Sequence, residues 1–429
     1  MYETQLIYIG LFGAIASILS RLMTGKTRRV ASTALTCFFL LSMLYYSLLE
    51  RTLAGLIGLT SSIIGIAAVL SAYWLLEEEV STHNLLILAL CISSSLLASS
   101  QDLVKIFIEW EILGSAVVSL TAYHRDRESA EAALKYIMLC GAGTALALGG
   151  IVLVFVEKGA TTLEATYSSS LLAKVLLLAG FGVEAALFPL HFWLPDAHMA
   201  APSTASAVLS GIAIESAAVL VYRLVVGDTI IRWIIMPLAL TGAIVANLSA
   251  YRQEDLKRLL AFSSVANANY ILLAWSSANK LASSYAFLHI VAHGFLKSAL
   301  FIISGVLLAT YGTRQLSKLS GAASKNNALK ITVVLSCIGL TGAPPLLAFW
   351  SELYMGVGLF QFNSLIGLGF MIAVIISFVY YFRILYILAS GKREEEPGFK
   401  GPVLVALALT ILSLLAFALC SYLISYFNI

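Results

Sequence analysis

This sequence predicts an all-α protein that crosses a membrane many times, and three observations predict it. Of its 429 residues, 60% are hydrophobic and only 11% charged, where a soluble domain carries about a quarter charged residues. Apolar runs of about 20 residues recur along the whole chain, each long enough to cross a hydrocarbon core of about 30 Å. Lysine and arginine gather between alternate runs, seventeen after the odd-numbered ones against six after the even-numbered ones. That asymmetry marks the odd loops as cytoplasmic and puts both termini on the outer side.

In chain order, helices are expected near 5–22, 30–49, 53–74, 84–101, 102–123, 131–156, 171–195, 203–225, 230–250, 259–277, 283–310, 328–359, 362–390 and 402–427, about fourteen in all. The first run, QLIYIGLFGAIASILSRL, has no small-residue cleavage site behind it and reads as an anchor. Ser99-Ser100-Gln101-Asp102 supplies the turn that divides 84–123 into two helices. The seventh helix contains LFPLHFWLP and the twelfth TGAPPLLAFWSEL. Proline inside a helix removes a backbone bond, so both are expected to be broken, near Pro189 and near Pro344–Pro345. Five helices apart, they cross in opposite senses, which predicts two inverted five-helix repeats, helices 4–8 and 9–13. The resulting organisation is a three-helix segment at 1–80, repeats at 81–228 and 229–391, and a C-terminal helix at 392–429.

The net charge of +3 resides in membrane-flanking loops and gives no footing for nucleic acid. Cys37, Cys91, Cys140, Cys337 and Cys420 are scattered through apolar runs with no CxxC pair, so disulfides, zinc and iron–sulfur clusters are not expected. Neither a phosphate-binding nor a dinucleotide fingerprint is present. No cofactor is expected, and chemistry falls to carboxylates, histidines and lysine inside the bilayer.

Ionisable residues in mid-helix are costly, by at least about 2.5 kcal/mol at the membrane centre. Here there are seven: Glu111, Glu184, Glu215, His289, His293, Lys297 and Glu352. The i, i+4, i+8 spacing of His289, His293 and Lys297 sets them along one helix face over about 12 Å. Any one could be a satisfied polar contact between helices; seven together read as a proton pathway, since each can gain and release a proton. A metal at His289 and His293 is the weaker reading, because HxxxH here lacks the zincin glutamate and a third ligand. Glu109 falls about 200° around the helix from Glu111; with Asp102 and Lys105 it reads as a self-neutralising ladder near the outer end. His191 and His198 are expected at an outlet or interface, capping the loop.

FPLHFWLPDAHMAAPSTASAVLSGI resembles the signature of the antiporter-like membrane subunits shared by respiratory complex I, membrane-bound hydrogenases and Mrp cation/proton antiporters. IEWEILGS, EAALKYIMLCGA, YRQEDLKRLLAFSS, HIVAHGFLKSALFIISG and TGAPPLLAFWSEL extend the resemblance over roughly 80–390. It is to the shorter members, without the extra helices and lateral helix of the longest type. The resemblance implies that Glu111 is the family's helix 5 glutamate, that His289, His293 and Lys297 are its central group, and that Glu352 is its helix 12 acid or lysine. Glu184 and Glu215 depart from the pattern, standing where the family usually has lysine. Glu111 would then face a second carboxylate, and ionising both in a low dielectric is costly. The implied function is a proton-translocating subunit of a redox-driven pump without a redox centre of its own. The alternatives are a structural subunit of such a complex and an Mrp-type Na⁺/H⁺ antiporter subunit. The implied partners are neighbouring antiporter-like subunits, a peripheral redox arm, H⁺, with Na⁺ as the alternative ion, and the lipid bilayer of the cell membrane.

Overall fold

The computed structural model describes residues 1–429 apart from 78, 226, 392 and 394–397. Among the described residues there is no strand, only two isolated bridges, Asp102 with Thr162 and Asp255 with Gln315. The helices are α1 (Tyr2–Ser20), α2 (Gly25–Leu49), α3 (Leu53–Leu75), α4 (Val80–Ser99), α5 (Leu103–Thr121), α6 (Arg127–Lys158) and the short α7 (Leu163–Tyr167). Then come α8 (Leu171–Glu184), α9 (Trp193–Ala200), α10 (Ser203–Val208), a π-helical turn (Leu209–Ala213), α11 (Ile214–Val225), α12 (Thr229–Tyr251), α13 (Leu256–Ser276) and α14 (Lys280–Tyr311). After a 3₁₀ turn at Leu316–Lys318, the chain ends with α15 (Asn327–Leu340), α16 (Leu347–Phe362), α17 (Ser364–Ala389), α18 (Lys400–Ala418) and α19 (Cys420–Tyr426). Among the described residues, eleven helices are long and apolar enough to cross a membrane.

Among the described residues several helices start on a side chain that accepts the first free N–H groups: Asp102 for α5, Asp126 for α6, Ser170 for α8, Asp255 for α13, Asn326 for α15. Such caps set where each helix begins. The helices sort into an inner and an outer set. α14 and the α10–α11 helix are buried along their length and α13 nearly so, whereas α1, α2, α6 and α17 turn most of their apolar surface outward. An outward apolar surface of that extent is tolerated by lipid and not by water.

The two halves share local features at one offset. Asp102 and Asp255 both cap a helix and form a bridge; Gly159 and Gly312 both end a 32-residue helix with φ near +65°. Both pairs are 153 residues apart (255 − 102 and 312 − 159).

The seventh expected helix is divided into α8 and α9, and the twelfth into α15 and α16. Each first piece ends the same way. Ala186 (φ 51°) and Gly342 (φ 66°) are left-handed, and the next N–H reaches back five residues, from Leu187 to the Gly182 carbonyl and from Ala343 to that of Ile338. Pro195 interrupts nothing: it lies in the first turn of α9, where its missing N–H costs no bond. The eighth expected helix is continuous but contains the π-turn, a feature that apolar periodicity does not reveal. The last expected helix is divided at Leu419.

Candidate functional site

The first break holds together because other helices serve its freed backbone groups. Trp193 donates its indole N–H to the Val183 carbonyl at 2.9 Å, and Asn269 of α13 donates its amide to the Ala186 carbonyl at 3.0 Å. At membrane depth such substitution is required, because each unpaired backbone group costs several kcal/mol. The arrangement leaves Glu184, the last residue of α8, pointing inward and buried. Tyr136 of α6 donates its hydroxyl to Glu184.

Glu111 is on the outward face of α5, exposed, and accepts from the Thr144 hydroxyl of α6 at 2.9 Å. It nevertheless shares a cavity of about 180 Å³ with Glu184, lined also by Gly114, Tyr136, Cys140 and Thr144. The two carboxylates thus line one small cavity at the α5–α6 surface, Glu184 from its buried side.

Glu215 begins the α11 helix just past the π-turn. The turn packs on α14 where two glycines meet. A Cβ on Gly211 would lie 3.1 Å from the Gly294 carbonyl, and one on Gly294 would lie 2.6 Å from that of Gly211. This close approach brings Glu215 to 2.8 Å from His293 Nδ1, both fully buried, without the alignment of a hydrogen bond. The His293 ring stacks on His289 with centroids 6.0 Å apart.

The bonds of His289 define what it can do. Its Nε2 lies 2.9 Å from Asn267 Oδ1, and Asn267 spends its amide on the Ser263 carbonyl, so Nε2 carries hydrogen. Its Nδ1 lies 2.9 Å from the Ser351 hydroxyl. A hydroxyl can donate to a bare nitrogen or accept from a protonated one. His289 can therefore gain or lose a proton with both contacts kept, provided the Ser351 hydroxyl, which donates to the Ala348 carbonyl at 2.9 Å, turns to Nδ1 when the ring is neutral.

Lys297, fully buried, donates to the Leu260 carbonyl at 2.8 Å and to the Ser263 hydroxyl, with the Tyr381 ring 5.5 Å away. No carboxylate lies within 4 Å of it among the described residues. Glu352 of α16 is buried, its Oε2 unpartnered and packed over Gly342. Near Glu352 lies a polar cluster in which Tyr380 donates to Asn247 at 2.8 Å and Asn247 donates to Tyr270 at 2.6 Å.

The structure thus joins Glu215, His293 and His289 by contact and Glu111 with Glu184 by a cavity; among the described residues no hydrogen bond or ion pair links Glu184 to Glu215 or Lys297 to Glu352. His191 and His198 correct the expectation of loop-capping roles. Both are buried in ring stacks, His191 between Phe188 and Phe192 and His198 on Phe301 at 4.8 Å. The supposed ladder is also absent. Asp102 caps α5 and accepts from Thr161 at 2.5 Å, Lys105 points out toward Glu3, and Glu109 turns inward. Sequence reasoning missed Tyr136, Asn267, Ser263 and Tyr381. Asn267 carried a signal, an amide within the apolar run SSVANANYILL; the others are unremarkable in an apolar helix.

Residues 100–377 match the family described as NADH:quinone oxidoreductase/Mrp antiporter, TM. The NADH-quinone oxidoreductase subunit N of Desulforudis audaxviator is 30% identical over 70% of this chain and 64% of its own length. A hydrogenase-4 component F homolog of Methylacidiphilum infernorum is 32% identical over 62% of this chain and 60% of its own. The chain therefore spans under two thirds of the length of these two relatives. Among solved structures, a chain of an archaeal membrane-bound sulfane sulfur reductase superposes with TM-score 0.92 over 99% of this chain and 96% of its own, at 22% identity. A chain of the Mrp complex from Dietzia sp. gives 0.89 over 99% and 95%, at 17% identity. One from respiratory complex I of Thermus thermophilus gives 0.83 over 98% and 97%, at 23% identity. These likenesses establish the fold.

Proposed function

We propose that this chain, which belongs to the NADH:quinone oxidoreductase/Mrp antiporter membrane family, is a proton-translocating subunit of a multi-subunit redox-driven ion pump. The observation that carries the reading is the buried run Glu215–His293–His289, continued on α14 by Lys297. Four groups that exchange protons are costly at this depth, and their cost is explained by traffic. A proton taken by Glu215 changes the charge beside His293. His289 passes its change through the Ser351 hydroxyl of α16, the helix that bears Glu352. Glu352 is the expected outlet of this second half and Glu111 with Glu184 the polar entrance of the first. The chain needs no redox centre for this; electrons would be handled by a peripheral arm, and adjacent antiporter-like subunits would flank it.

The caps and bridges matched at an offset of 153 residues, with the breaks matched at 156 (342 − 186), favour two inverted repeats; fourteen helices, both termini on the outer side and the cell membrane as location belong to the same proposal. A Na⁺/H⁺ exchange role of Mrp type has one observation in its favour, the paired carboxylates Glu111 and Glu184 on one cavity. The experiment is proton transport in vesicles holding the intact complex, driven by its own reaction. Lys297→Ala or Glu352→Gln should depress transport while assembly holds; normal transport in a normally assembled complex refutes the pathway. Na⁺ uptake in the same vesicles separates the second reading.

A further inference from the structure

One buried acid lies outside this pathway. Glu109 is on the inward face of α5, opposite Glu111, and is 7% exposed. Its Oε1 accepts from the Ser100 hydroxyl at 2.5 Å, while its Oε2 is buried without a partner. Across Ser100 lies a buried guanidinium. Arg223 of α11 donates to the Leu97 carbonyl at 2.6 Å and the Ser100 carbonyl at 2.5 Å, closing the end of α4. Ser100 thus holds the carboxylate by its hydroxyl and the guanidinium by its carbonyl. Arg223 forms no ion pair within 4 Å among the described residues, so its charge stays available to compensate Glu109.

Position gives the pair its meaning. Arg223 is eight residues beyond Glu215 on the same helix, about 12 Å along it. Glu109 is seven residues from the cap of α5, about 10 Å in from that end. A carboxyl group therefore stands between the buried Glu215 and the end of the bundle where α4 and α11 finish. The other charged groups around it are Glu3 of α1 and Lys105 of its own helix, which face each other 3.8 Å apart at the surface.

We propose that Glu109 is the outer-side proton-release group of the first half, with Arg223 as its fixed counter-charge. The inference rests on the translocation reading above. In the step, the neutral carboxyl loses its O–H proton to water at the outer end and is left as carboxylate beside Arg223; a proton from the interior restores it. Arg223 keeps its charge throughout, and Ser100 keeps its hydrogen bond in both states.

Glu109→Gln separates this role from a structural one, because the amide oxygen still accepts from Ser100 and the α4–α5 tie survives. In the intact complex in vesicles, E109Q should slow proton appearance on the outer side roughly tenfold or more; a positioned acid–base group typically contributes about 10²-fold or more. It should also remove a pH-titrating carboxyl band from the infrared difference spectrum. Glu109→Asp should restore part of the rate with a shifted pH profile. An assembled E109Q complex with wild-type transport and an unchanged carboxyl titration overturns the proposal. If Lys297→Ala lowers transport and E109Q does not, this inference alone fails; if neither does, the translocation reading fails with it.

Discussion

Gly342→Ala tests whether the second break exists to place Glu352. Gly342 is left-handed, with φ 66°, and a Cβ there would fall 2.2 Å from Glu352 Oε2. Ordinary contact begins near 3.4 Å, so the carboxylate has to retreat by about 1.2 Å or the loop has to shift. The backbone penalty for a non-glycine residue in this region is about 1–2 kcal/mol. Gly312 provides the control: its φ is also 66°, but nothing lies within 4 Å of its would-be Cβ. Gly312→Ala therefore carries the backbone penalty alone, and Gly342→Ala carries it together with the displacement of Glu352. Both variants should lower the melting temperature of the solubilised complex. Only G342A should also depress driven proton transport, approaching Glu352→Gln. Equal transport in G342A and G312A would refute the claim that the break positions the carboxylate.

Tyr136→Phe keeps the ring that packs edge-on against Trp193 at 4.9 Å but removes the hydroxyl given to Glu184; it should cost about 1–3 kcal/mol in thermal stability and lower transport without abolishing it. Asp126 caps α6 from the loop after α5, and the Ser129 N–H and hydroxyl hold its carboxyl below the usual aspartate value. A depressed carboxylate stabilises above the unfolded pKa, about 3.9, and the contribution is lost as pH falls through the lower folded value. The melting-temperature advantage of wild type over Asp126→Asn should thus be full above about pH 4 and shrink below it.

The difference between what the sequence disclosed and what it withheld follows from the range of each signal. Apolar run length and proline are local, and they placed the long helices to within a few residues and both breaks. Helical periodicity also separated Glu109 from Glu111 on opposite faces of α5. It could not say what each face meets. Glu111, which the sequence resemblance matches to the family's acid, is on the outward surface beside Thr144, while Glu109, read as part of a self-neutralising ladder, is the one turned into the bundle. That outcome depends on α4 ending at Ser100 and on α11 extending Arg223 across to it, contacts over more than a hundred residues that no local pattern contains. The π-turn is hidden for the same reason. Its extra residue is tolerated where Gly211 and Gly294 let two backbones touch, and it is this contact that aims Glu215 at His293. Sequence thus discloses which ionisable groups lie within apolar helices; the order in which they meet is a property of helix ends, glycine contacts and amides such as Asn267 and Asn269. Mutations at those supporting positions should therefore impair transport while every proton-bearing residue is still present.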